Sequence, residues 1–323
     1  MGCLDYYQRI FSAYLTPQKS HLTFWHEVPE ANENFQPDEL GEYYMPFTAK
    51  AEYPGKYDSA GIPLLDYHGK IGLQYNPIAI AQYGLGNYNL YLRTGDESRK
   101  SKFLNAAEWM FENLEETPYG TRVWYHHFDW EYRDKLKAPW HSALAQGQGL
   151  SLLVRAHQET GNDCYLEAGR DVFDTFKKDV QEGGVAYTDS KRYIWFEEAI
   201  VDPPTHILNG FLWASWGVYD YFLHTGEKEP GRLFEEAVKT LKDNLFQFDA
   251  GFWSLYEQSG TGMKMLASPF YHNLHIIQLQ VMHKLTNNPI FKHFGDQWDA
   301  YSKSIIKRTA ALTYKVIFKL LYY

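Results

Sequence analysis

The sequence predicts a mainly α protein, an (α/α) toroid of about four helical hairpins with short β-hairpins in the loops at one mouth. Three observations lead there: a unit that recurs four times, apolar residues at helical spacing within each unit, and long connections between units.

The recurring unit is an apolar amphipathic segment ending in Thr-Gly or Thr-Asn, followed by a second amphipathic segment. Its marks are Thr94-Gly95, Thr160-Gly161, Thr225-Gly226 and Thr286-Asn287, successively 66, 65 and 61 residues apart. Gly or Asn at that point supplies the left-handed conformation with which a helix ends. First helices are expected over 76–93, 142–159, 206–224 and 272–285, and their partners over 98–114, 163–178, 231–246 and 289–302. In the first partner, Phe103, Ala106, Ala107, Met110 and Leu114 fall on one helix face. The first helices are richer in Gly, Gln, Asn, His and Trp, as in Gln146-Gly147-Gln148-Gly149 and Asn209-Gly210. Small residues let helices approach and polar ones suit a central cavity, so these helices are assigned to the inner layer.

The connections 115–140, 183–204 and 248–269 carry strand and turn signals and are long for a compact domain. Such loops are usually functional, and these are expected to gather at one mouth. The organisation expected is an N-terminal helix and extended segment over the cleft (1–70), a catalytic barrel (71–308) and a basic amphipathic tail (309–323). Around that tail, Lys303, Lys307, Arg308, Lys315 and Lys319 alternate with Ile305, Ile306, Leu312, Val316, Ile317, Leu320 and Leu321. That pattern suits a peripheral membrane contact or a partner surface, and equally packing along the outer wall of the toroid.

Composition narrows the function. Of 323 residues, 17% are aromatic, and flat amphipathic rings are what sugar faces stack on, although such rings also fill helical cores. A formal net charge of −9 argues against nucleic acid and means that an acidic sugar would need a local basic patch. Cys3 and Cys164 are the only cysteines, so neither a disulfide framework nor a zinc spacing is present. The residues after Met1 have neither the charged and apolar runs of a signal peptide nor a myristoylation signal, which points to the cytoplasm.

The stretches Ile80-Ala81-Gln82-Tyr83-Gly84-Leu85, Ser142-Ala143-Leu144-Ala145-Gln146-Gly147-Gln148, Leu208-Asn209-Gly210-Phe211, Trp253-Ser254-Leu255-Tyr256 and Tyr271 through Gln280 resemble signature blocks of the D-glucuronyl C5-epimerase family, in the family's order. The chain resembles the compact prokaryotic form of the helical catalytic domain, without the β-sandwich inserted in the animal enzymes. The resemblance implies inversion at C5 of D-glucuronate within a heparosan-like polysaccharide, giving L-iduronate, with no redox cofactor and no metal. It also implies the catalytic groups Glu198, Tyr256 and Tyr271. Lys50, Tyr83, Trp140, Gln146, Gln148, His206, Asn209, His272 and His275 are expected to contact the substrate, and a second copy of the chain is a further candidate partner.

The chemistry asks for such groups. The C5 proton lies α to a carboxylate and is very weakly acidic, so it must leave one face while a proton returns to the other, across a stabilised enediolate. One position departs from the family pattern: Glu197-Glu198 is followed by Ala199-Ile200, where the family has Tyr-Pro. Either the remaining groups suffice, or Tyr187 or Tyr193 fills the gap, or the protein binds polymer without efficient turnover. His272 and His275 share a helix face, yet with no third ligand nearby a metal site is disfavoured. Lys50, Lys56, Arg133 and Lys137 are candidates for pairing with uronate. Three other readings stay open: a polysaccharide lyase, a hydrolase pairing Glu198 with Asp129 or Glu131, and a non-catalytic carbohydrate binder.

Overall fold

The computed structural model describes residues 28–131, 135–260 and 262–322. The helix expected near the N-terminus and Arg133 lie outside them. The described residues divide into two compact units, one over 32–240 and the other from 241 onward together with 28–31.

The first unit is built on three hairpins: α1 (Pro77–Thr94) with α2 (Glu97–Glu112), α3 (Ala143–Thr160) with α4 (Asp163–Thr175), and α5 (Leu208–Thr225) with α6 (Lys228–Asn244), whose last turn passes into the second unit. Each first helix is buried around most of its circumference, without a break from Pro77 to Asn89 in α1 and from Ala143 to Ala156 in α3. Their partners bury one stripe, as with Phe103, Ala106, Ala107 and Met110 of α2. That difference is the inner and outer layering the composition implied.

The repeated Thr-Gly mark proves to be a complete cap. Gly95, Gly161 and Gly226 hold φ of 67°, 66° and 67°, and each donates its N–H to the carbonyl four residues back. The threonine before each glycine donates its hydroxyl to a carbonyl of the last turn, at 2.7 Å, 2.7 Å and 2.8 Å. The same oxygen then accepts the N–H two residues ahead, at 3.2–3.3 Å. One residue thus bonds back to its own last turn and orders the turn into the next helix.

The inner helices run parallel and in register. Near their starts, Gln82 Nε2 donates to Gln148 Oε1 at 3.0 Å, and near their ends Arg155 reaches Asp220. Between them α3 and α5 touch backbone to backbone. A Cβ on Gly217 would stand 2.2 Å from the Gly147 carbonyl oxygen, and one on Gly147 would stand 2.5 Å from the Ala214 Cα. Only glycine permits that approach.

Parallel inner helices put all their N-termini at one end, and the strand pairs precede those N-termini. Strands β1 (Lys56–Tyr57), β2 (Pro63–Asp66) and β3 (Leu73–Gln74) form an antiparallel sheet before α1. Hairpins β4–β5 (Glu115–Glu116, Arg122–Val123) and β6–β7 (Trp130–Glu131, Lys135–Leu136) come before α3. Hairpin β8–β9 (Ala186–Thr188, Ile194–Phe196) comes before α5.

The segment around residues 40–47, expected over the mouth, lies at the other end of these helices. Arg155 Nε donates to the Gly41 carbonyl, Gln158 to that of Leu40, and Arg93 pairs with Glu42. Tyr44 OH donates to Asp220 at 2.6 Å, and Asn89 holds the backbone of Tyr43 and Met45. A buried ion pair, Arg155–Asp220 at 2.7 Å, is the centre of this latch, and its desolvation is offset because the Tyr44 phenol and the carbonyls of Gly41 and Ser151 complete its hydrogen bonding.

The second unit contains the fourth hairpin, α7 (Pro269–Thr286) and α8 (Pro289–Lys303), with Asn287 at φ 54° as its left-handed cap. Its core includes Leu279, Met282, Phe291 and Trp298. The basic tail is a helix that begins earlier than expected, α9 (Ile305–Tyr322), and it buries Ala311, Leu312 and Phe318. Lys307 and Lys315 donate to the carbonyls of Gly251 and Leu266, and Tyr314 to that of Lys264. Much of the basic face is therefore engaged within its own unit. Among the described residues no helix is long and apolar enough to cross a membrane.

Candidate active site

Two adjacent carboxylates follow β9 and meet the start of α5. Glu197 is 1% exposed and accepts from the His206 ring Nδ1 at 2.5 Å and from the His206 backbone N–H at 3.2 Å. His206 sits at φ 51° with its ring stacked on Trp195, centroids 4.3 Å apart. Glu197 is tied into the fold twice more, through its N–H to Val185 and its carbonyl to the Ala143 N–H at the head of α3.

Glu198 points the other way and is partly exposed. Asn209 Nδ2 donates to its Oε2 at 3.2 Å, and Gly210 leaves the room it needs, since a Cβ there would meet that oxygen at 2.2 Å. Burial raises its carboxyl to about pKa 8; the Asn209 hydrogen bond opposes the rise and the Glu197 charge adds to it. Burial therefore favours the protonated form of Glu198 at neutral pH. Neighbouring carboxyl groups in such different surroundings are a common mark of a working site.

Ala199, where the resemblance leads to the expectation of a tyrosine, is buried. Of the two replacements considered, Tyr187 packs against His206 with centroids 5.7 Å apart, beside the carboxylates. Tyr193 instead lies under the Lys239 ammonium, 4.5 Å from its ring centroid.

In the second unit Tyr256 and Tyr271 are brought edge to face, with centroids 4.8 Å apart, and both are partly exposed. A buried network holds them. Ser254 Oγ lies 2.8 Å from His272 Nδ1 and 3.1 Å from His275 Nδ1, while His272 Nε2 donates to the Trp298 carbonyl at 3.0 Å. Accepting at Nδ1 and donating at Nε2 fixes the His272 tautomer, and its ring stacks on Trp253 at 3.7 Å. His272 and His275, expected to contact the sugar, are both fully enclosed and act inside the protein. Burial lowers His272 to about pKa 3 and His275 well below its ordinary value, so both are neutral. Ser254, which lies in a signature block but was assigned no role there, is the residue linking the Tyr256 segment to α7.

The remaining candidates divide by burial. Gln146 is fully buried, and its amide both donates to and accepts from the backbone of Trp124, which lies just beyond β5. Gln148 is fully buried against Gln82. These two tie the inner layer together rather than lining a cleft. Lys50 is 5% exposed, with its ammonium over the Phe47 ring, which removes it from an open mouth. Tyr83 is buried on α1 with its ring near Tyr57. Trp140 is half-buried, donates to the Phe128 carbonyl and stacks on His126. Lys56 is exposed in β1. Asp129 accepts from the Ala138 N–H and pairs with Lys137 and Lys135, which hold its carboxyl far below the usual range. It is thus a poor proton donor for a hydrolase, and Glu131 lies nearby in β6. Among the described residues no group of three or more metal-ligating side chains comes together.

The cellobiose 2-epimerase of Spirochaeta thermophila superposes with a TM-score of 0.51 over 77% of this chain and 63% of that one, at 12% identity, a likeness of fold in the (α/α) toroid class. The family is given by sequence: residues 118–300 match the model described as D-glucuronyl C5-epimerase C-terminus, and the chain belongs to that family. It is 30% identical to an uncharacterized protein of Methanocaldococcus jannaschii over 54% of this chain and 56% of that one. It is 27% identical to the D-glucuronyl C5-epimerase of Caenorhabditis elegans over 64% of this chain and 36% of the worm protein. The chain therefore spans about half the length of the first relative and about a third of the second.

Proposed function

We propose that the protein epimerises D-glucuronate residues at C5 within a heparosan-like polymer. The observation that carries the reading is the Glu198 carboxyl, raised to about pKa 8 beside Asn209 and Gly210 in a chain of this family. Removing the C5 proton puts negative charge on the substrate carboxylate as an enediolate. A carboxyl that is still protonated at neutral pH donates to that charge as it develops, which is where catalysis gains most. Tyr256 and Tyr271 supply the acid–base pair: one phenolate takes the C5 proton and the other phenol returns one to the opposite face, so the two exchange protonation states in each turnover. Substrate and product differ only in configuration, so no electrons are exchanged with a cofactor. Ser254, His272 and His275 act as positioning residues for the tyrosines.

The test is incubation with heparosan-type polymer in heavy water. Deuterium should enter C5 without the ultraviolet absorbance of an unsaturated uronate, and Tyr271→Phe should lower the exchange rate at least ~100-fold, the scale of a lost acid–base group. Absorbance would make the protein a lyase. Absence of both would overturn the epimerase reading.

A further inference from the structure

We infer that a second saccharide-binding site lies in the first unit, in a cleft of about 770 Å³ between residues 68–74 and the β6–β7 hairpin whose lining does not include Glu198. Its volume falls in the ~300–1,000 Å³ range of small-molecule sites. One wall is Trp130, 40% exposed although it is among the largest apolar side chains of the loop layer. The ring is braced by two neighbours: Tyr67 and Phe128 meet it in edge contacts at 5.6 Å and 6.5 Å, and Tyr67 lies tilted against Phe128 at 4.6 Å. Tyr67 is itself fixed by the Asn76 side chain, the cap of α1, at 2.6 Å. An indole braced by neighbouring rings and still 40% exposed offers a surface on which a pyranose face stacks.

The polar rim is made of planar hydrogen-bonding groups, His68, Gln74 and His127. His68 is paired with Asp66 at 3.2 Å and His127 with Glu115 at 2.6 Å, which leaves one ring nitrogen of each for a hydroxyl. Lys70 lines the cleft and makes no ion pair among the described residues, while Lys137 at the neighbouring hairpin pairs with Asp129. The ligand class is therefore a pyranose chain carrying carboxylate or sulfate groups, met by Lys70. The cleft lies at the helix end that carries Glu198, joined to it through covalent and hydrogen-bonded steps: Trp140 pairs with His126, Ser142 caps α3, and the Ala143 N–H donates to the Glu197 carbonyl. A polymer bound there would be held by residues outside the unit undergoing reaction. The choice of probe rests on the function proposed above; the site itself does not.

The test reads binding rather than turnover. An end-labelled heparosan-type dodecasaccharide is titrated with the full chain by fluorescence anisotropy, beside a neutral glucan of the same length. Trp130→Ala should raise Kd for the acidic probe about tenfold, the scale of one buried ring face, and Trp130→Tyr should restore most of it. Lys70→Gln should raise Kd about threefold for the acidic probe alone and flatten its salt dependence. The C5 exchange rate at saturating polymer should be unchanged in all three variants. An unchanged Kd in folded Trp130→Ala would overturn the site, and equal binding of the neutral glucan with no effect of Lys70→Gln would overturn the acidic ligand class. Loss of C5 exchange in the parent protein with binding intact would count against the epimerase reading alone.

Discussion

Replacing Glu198 by Gln should make the protein progressively more stable than its parent as pH rises. The folded carboxyl titrates near 8 and the unfolded one at its ordinary value, so between these the unfolded state carries one proton fewer. Stability from this group is fully present below the unfolded value and is lost as pH rises through the folded one, at up to about 1.4 kcal/mol per pH unit. Between pH ~5 and ~8 the full effect is about 4 kcal/mol, and because Glu198 is partly exposed water relaxes it to roughly 2–4 kcal/mol. Gln keeps the size of the side chain and an acceptor for Asn209 but has no proton to lose. Urea midpoints by circular dichroism across that range, for both proteins, should diverge steadily with pH. Parallel curves would refute the reasoning, because they would mean that Glu198 ionises at little cost in the folded chain.

Three further perturbations follow from the packing. Gly217→Ala drives a methyl to 2.2 Å from a backbone oxygen that has nowhere to move, and should cost about 1–3 kcal/mol in thermal or urea unfolding. Asp220→Ala leaves Arg155 buried without its partner and should cost about 3–5 kcal/mol, with limited proteolysis opening first around residues 40–47. On the acid side, burial holds His126 and His272 near pKa 3 and His275 well below its ordinary value. Their stability is present above the unfolded histidine value and is lost as pH falls toward the folded ones, so unfolding near pH 5 should take up about three protons from these groups. His126→Phe should reduce that uptake by about one, measured by potentiometry or from the pH dependence of the midpoint.

The helical hairpins were legible because their signals are local. A helix end needs a left-handed residue within one turn, and an amphipathic stripe repeats every few residues, so four Thr-Gly or Thr-Asn marks and the apolar spacing determined element type, order and layer. The boundaries missed by a few residues at the ends, as where α9 begins at Ile305 rather than in a tail from 309, because end turns are decided by hydrogen bonds to other segments. The threonine of each mark was visible in the sequence, but its two-way hydrogen bond needed coordinates. Glu198 was reachable through its motif, and Gly210 through its place beside Asn209.

Other assignments depended on contacts between residues far apart in the chain. Gln146, Gln148, His272 and His275 are polar residues on inner helices, a pattern compatible equally with a sugar and with a buried network, and only the positions of Trp124, Gln82 and Ser254 decided between them. The segment near residue 41 went to the far end of the inner helices because a buried guanidinium more than a hundred residues away needed a carbonyl. Trp130 became a candidate platform because Tyr67 and Phe128 brace its ring while leaving it 40% exposed. The sequence by itself determined which residues could form helices, caps and acid–base groups. The tertiary structure alone decided which polar groups are satisfied within the protein and which are left to meet a ligand, because desolvation is set by every segment that packs around a group.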